Sequence, residues 1–135
     1  MAQFARPDAD TSVGNWTASS GSSRYAMIDE SSASDSDYIT VTDDMSGSAE
    51  AITLSLSSVT DPADHTSTSV VVRANAESFS GSVTLNVTLK DGSDTIKSEN
   101  FTPGTSFGNH TMSLSTTQAG AISGYDNLTL VLTAT

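Results

Sequence analysis

Apolar and polar residues alternate most regularly in three stretches. Residues 82–90 (SVTLNVTLK) put Val83, Leu85, Val87 and Leu89 on one side and Thr84, Asn86 and Thr88 on the other. Residues 50–58 (EAITLSLSS) repeat the pattern with Ile52, Leu54 and Leu56, and residues 127–135 (NLTLVLTAT) with Leu128, Leu130 and Leu132. A period of two is that of a strand with one dry and one wet face, the arrangement antiparallel sheets use. Shorter strands are expected at 24–28, 38–42, 69–76, 95–101 and 109–115, with an edge strand near 11–17. The consecutive valines of 69–76 predict burial on both faces for part of that length. Asp91–Gly92 marks a hairpin between 82–90 and 95–101, and that hairpin is expected at the centre of the sheet. The one helical turn expected is 116–122 (TTQAGAI), capped by Thr116 or Thr117.

About eight strands at intervals of roughly ten residues are the signature of a sandwich or barrel. Amphipathic helices that would build a parallel βαβ sheet are absent. The length of 135 residues fits one domain, divided here into an N-terminal arm, 1–23, and a β-sandwich, 24–135. The arm is polar and glycine-containing, with Phe4, Val13 and Trp16 as isolated apolar positions. Forty-four residues are Ser or Thr, a bias that favours strands and turns over helices.

Charge narrows the function. The formal net charge is −11, and residues 1–64 hold 11 of the 16 acidic side chains. Nucleic-acid grooves need clustered Lys and Arg, and the chain has only 5 such residues. Nucleic acid and anionic membrane surfaces are therefore not expected partners. No cysteine is present, which excludes disulfides and thiolate metal sites. A cleaved leader is not expected from residues 2–10 (AQFARPDAD), so the chain reads as soluble.

Candidate chemistry is sparse. Gly104-Thr-Ser-Phe-Gly108 matches G-x-S-x-G, but a nucleophile elbow needs a strand-to-helix turn, and here a strand follows. Loop glycines are the better reading of this match. His65 and His110 stand alone, outside any metal-ligand spacing, and read as surface or loop residues. No catalytic residue, cofactor or resident metal is expected. Among the acidic pairs, Asp35, Asp37, Asp43 and Asp44 are the candidates for calcium, which takes oxygen ligands from such loops; solvated acidic loops are the default. Trp16, Tyr25 and Tyr38 form either a sugar-stacking platform or, as we prefer, part of the core. Asn15, Asn86, Asn100, Asn109 and Asn127 open N-x-T triplets, which a Ser/Thr-rich chain produces by chance.

One stretch carries a resemblance. Arg6-Pro7-Asp8-Ala9-Asp10, then Trp16, then Tyr25-Ala26-Met27-Ile28-Asp29-Glu30, then Asp37-Tyr38-Ile39 is similar in order and spacing to a recurring opening of virion proteins of tailed bacteriophages. The C-terminal likeness is looser: Thr116 to Ala119, Ile122, Tyr125 and a last strand of alternating Leu. The resemblance implies a jelly-roll β-sandwich that decorates or cements a capsid by bridging the major capsid protein, at the virion surface and as a homo-oligomer. It makes the arm the expected contact, with Phe4, Arg6, Asp8, Asp10 and Trp16 as its side chains. The alternative expectation is a carbohydrate-binding or receptor-binding module of a phage tail or capsid surface.

Overall fold

The computed structural model describes residues 2–41, 49–77 and 81–135. Its backbone is an all-β antiparallel sandwich. Among the described residues the strands are β1 (Pro7–Ser12), β2 (Thr17–Ala18), β3 (Ile39–Thr40), β4 (Glu50–Leu56), β5 (Ser69–Ala74), β6 (Leu85–Asp91), β7 (Asp94–Phe101), β8 (Gly108–Ser113) and β9 (Leu128–Ala134), with one short α-helix, α1 (Thr116–Gly120). One layer is a five-stranded sheet in the order β1-β4-β9-β6-β7. Two ribbons, β2-β3 and β5-β8, supply further strand pairs.

Three pairings nest inside one another: β4 with β9, β5 with β8, β6 with β7. A chain paired in this way is a single antiparallel ribbon. Folding it so that β6 also pairs β9 closes the large sheet. Nested pairing is the wrapping rule of a jelly roll, here with three strand pairs and with β1 added at one edge. The 82–101 hairpin is not central as expected. β9 is the middle strand, and β7 is an edge.

Register puts the alternating residues in rows. Ile52, Leu132 and Val87 form one row, and Leu54, Leu130 and Leu89 the next; all six are buried. Leu85, Leu128 and Ala134 extend this dry face. On the wet face Asn86 donates to Ser98 Oγ at 2.9 Å and to Asn100 Oδ1 at 2.7 Å, and Thr88 donates to Asn86 Oδ1 at 2.8 Å. Edge strand β7 aims Lys97 and Glu99 toward the dry face, opposite Leu89 and Val87. Inward charge on an edge strand opposes pairing with another chain.

The β6–β7 turn is Gly92–Ser93, with Asp91 paired to Asp94. Gly92 has φ +58°, at the first central position of a two-residue loop, where glycine is favoured. The helix is capped by Ser115, one residue before the expected pair. Ser115 Oγ accepts the Gln118 N–H, and Gln118 Oε1 accepts the Ser115 N–H, a complete capping box.

Two further expectations are corrected. Residues 25–27 are a 3₁₀ turn, Tyr25–Met27, and not a strand. Tyr25 and Ile28 lie three residues apart and both pack on the core, which suits three residues per turn. In β5, burial is not on both faces: Val70 and Val72 turn inward, while Val71 is 56% exposed. Within the segment expected as an arm, 1–23, β1 pairs along β4 in the main sheet.

Candidate functional site

The N-terminal stretch is built into the fold by side chains from the sequence fingerprint. Asp10 pairs with Leu54 in register and so points to the dry side. Its carboxylate accepts the N–H of Arg24 at 2.8 Å and of Tyr25 at 2.7 Å, fixing the start of the 3₁₀ turn. Arg24 Nε donates to Trp16 O at 3.0 Å. The Trp16 indole N–H donates to Glu50 O at 3.1 Å, and the ring is buried in the core. Gly14 makes this entry feasible: its φ is +51°, and a Cβ there would meet Ala51 O at 2.8 Å.

Ahead of β1 the chain is tied to residues 57–60. Gln3 Nε2 donates to Thr60 O at 3.0 Å, and the Thr60 N–H donates to Gln3 Oε1 at 2.8 Å. Arg6 donates from its backbone to Ser57 Oγ and from Nε to Glu30 O. Its guanidinium lies 5.0 Å from the centre of the Phe4 ring, which is 65% exposed. Of the five expected contact residues, Trp16 lies in the core, 7% exposed. Asp10 is committed to backbone N–H groups. Phe4 and Asp8 face solvent, and Arg6 is half-buried beside Phe4.

A cleft of about 1760 Å³ opens between the main sheet and the elements that cover it. Its apolar lining includes Leu56, Leu89 and Leu130 of the main sheet and Val72 of β5. At its margin, on the outward side of the β5–β8 ribbon, stand Val71, Arg73 and Asn109, with Tyr38, Phe107 and Asp35 beside them. The Tyr38 and Phe107 rings are 6.5 Å apart between centres and inclined at 49°. Arg73 lies 5.8 Å from the Phe107 ring centre and pairs with both carboxylate oxygens of Asp35, at 2.7 Å for Nη2. Its Nη1 donates to Asn109 Oδ1 at 3.4 Å. Hydrogen bonding from Arg73 is the main cause that holds the Asp35 carboxyl below the usual carboxylate range.

The remaining candidates resolve as follows. Asp35 is occupied by Arg73, Asp37 accepts the Ser34 hydroxyl at 3.2 Å, and Asp43 and Asp44 lie outside the described residues. No group of three metal-ligating side chains is present among the described residues. His65 is a loop residue with φ +53°, its Nε2 2.8 Å from Asp61 Oδ1. The Ala63 N–H, then His65, hold Asp61 below its ordinary value. His110, expected at the surface or in a loop, lies in β8 against Phe101, ring centres 5.2 Å apart, with Nε2 buried and without a partner among the described residues. Ser106 of the G-x-S-x-G match is exposed in a loop that leads into β8.

Arg73, Phe107 and Asn109 were missed in the sequence. They come from β5, the loop between β7 and β8, and β8, which only the β5–β8 register brings together. The signal available was Phe107, a large aromatic placed between Gly104 and Gly108.

Fold and site define a small, acidic all-β sandwich with an aromatic-edged cleft. Comparison with known protein families, curated proteins and solved structures finds no match for the chain.

Proposed function

We propose that this chain is a structural virion protein that decorates or cements a bacteriophage capsid by bridging major capsid subunits. One observation supports this most: an aromatic–guanidinium pair, Phe4 with Arg6, is displayed on a segment held at both ends by hydrogen bonds. A rigid, exposed aromatic beside an arginine loses little entropy on docking and is the type of anchor that dominates protein interfaces. The net charge of −11 suits basic patches on the shell and speeds encounter with them. Such a role needs interface area and no catalysis. It places the chain at the capsid surface, where repeated sites favour self-association.

The test is the copy number of the chain in purified particles, with the Phe4→Ala variant alongside. Hundreds of copies support shell decoration, and Phe4→Ala should lower capsid affinity at least tenfold, about 1.4 kcal/mol, with melting unchanged. A few copies per particle would move the chain to the tail; none would discard the reading.

A further inference from the structure

We propose that the cleft margin formed by Tyr38, Phe107, Val71, Arg73, Asp35 and Asn109 is a binding site for an uncharged glycan. The inference is independent of capsid attachment and makes no use of Phe4 or Arg6.

The apolar half of the site is in place. Tyr38 is 41% exposed and Val71 56% exposed, and the inclined Tyr38 and Phe107 rings form an angled wall. A pyranose presents C–H groups on one face, which pack on an aromatic ring as other aliphatic surfaces do. Around that face its hydroxyls each donate and accept.

The polar half is also in place. A guanidinium carries five N–H donors, and a carboxylate has about four lone-pair sites. Arg73 spends Nε–H and one Nη2–H on Asp35 and one Nη1–H on Asn109. Among the described residues, two N–H donors are left beside the free lone pairs of Asp35, held in one plane by the bidentate pair. Donors and acceptors fixed side by side match neighbouring sugar hydroxyls, and their positions are set before the ligand arrives, which reduces the entropic cost of binding.

Charge selects among glycans. The Arg73 cation is cancelled by Asp35, and the Asp37 carboxylate also lines the cleft. An anionic sugar would meet no free cation among the described residues here, so the site takes neutral hexoses or N-acetylhexosamines in preference to sialylated chains.

The experiment uses the whole chain on an array of neutral oligosaccharides ending in glucose, galactose, mannose or N-acetylglucosamine, with sialylated counterparts beside them. The best hit is then titrated in solution. Neutral glycans are expected to bind in the millimolar to micromolar range. Tyr38→Ala should weaken binding about tenfold, Tyr38→Phe should retain it, and Arg73→Lys, which cannot make the bidentate pair, should weaken it by a similar factor. Melting curves identify any variant that fails to fold, and Tyr38→Phe with Arg73→Lys keeps the test open if Tyr38→Ala does. Absence of binding at about 10 mM, preference for sialylated chains, or affinity unmoved by both Tyr38→Ala and Arg73→Lys would overturn the proposal.

Discussion

Asp10 and Asp91 commit their carboxylates to backbone N–H groups, and in each case a turn distant in sequence is held. Asp91 Oδ2 accepts the Ser123 N–H at 2.7 Å, the Ser123 hydroxyl at 3.0 Å and the Gly124 N–H at 3.0 Å, which docks the β6–β7 hairpin end on the loop before β9. These bonds, the Ser123 N–H foremost, hold the Asp91 carboxyl below its ordinary value against a smaller opposing effect of burial. A carboxyl whose pKa is depressed by folding stabilises the fold fully above its unfolded value of about 3.9, and that contribution is lost as pH falls through the folded value. Asp91→Asn keeps the shape but gives up the charge-assisted bonds. At pH 7 it should destabilise by about 1 kcal/mol, a figure kept small because the group is partly exposed to solvent. The deficit against the wild type should shrink as pH is lowered below about 4. Thermal melts of both proteins between neutral and acid pH check this; a deficit that stays constant across the range would assign the effect to packing and not to charge.

Strands with one wet and one dry face write themselves into the sequence as alternation, and β4, β6 and β9 lie where that pattern puts them. Val87 is the sharpest case. It has no exposed surface and stands opposite Leu132 in the interior strand β6. Val87→Asp buries a charge with no partner, at about 4 kcal/mol or more, a large share of the 5–15 kcal/mol that holds a typical domain together. Circular dichroism should show no cooperative melt, whereas Thr88→Asp, one residue along on the wet face, should melt within a few degrees of the wild type. Elements that depend on distant partners were not legible. The 3₁₀ turn at Tyr25–Met27 is fixed by Asp10, a contact across about fourteen residues of chain that no local pattern encodes. The exposure of Val71 was hidden because three consecutive valines look alike until the pairing of β5 with β8 shows that the opposite face of the ribbon is open. The cleft margin was half legible. Tyr38 was singled out among the aromatics, but its companions come together only through that same pairing.

The whole molecule is one folded ribbon, and its N-terminal stretch closes it. β1 covers the outer edge of β4, Asp10 anchors the 3₁₀ turn, and Trp16 fills the core beside Glu50, so the fingerprint residues act together as structure. Deleting residues 2–5 and deleting residues 2–16 should therefore have different results. The short deletion removes Phe4 and the Gln3–Thr60 pair, all exposed, and should lower stability by no more than about 1 kcal/mol. The long deletion uncovers the β4 edge, frees the Arg24 and Tyr25 N–H groups and empties the Trp16 site. Loss of a buried Trp alone costs about 3–5 kcal/mol, and an uncovered edge invites pairing between chains. Expected outcomes are a monodisperse, cooperatively melting protein for the short deletion and an unfolded or aggregating one for the long deletion, read by light scattering and thermal melts. The proposed capsid binding can then be assigned. If the short deletion loses binding while still melting as the wild type does, the anchor is Phe4 and its neighbours. A long deletion that stays folded and monodisperse would instead show that β1 and Trp16 are dispensable, and that the sandwich begins, as the sequence division had it, near residue 24.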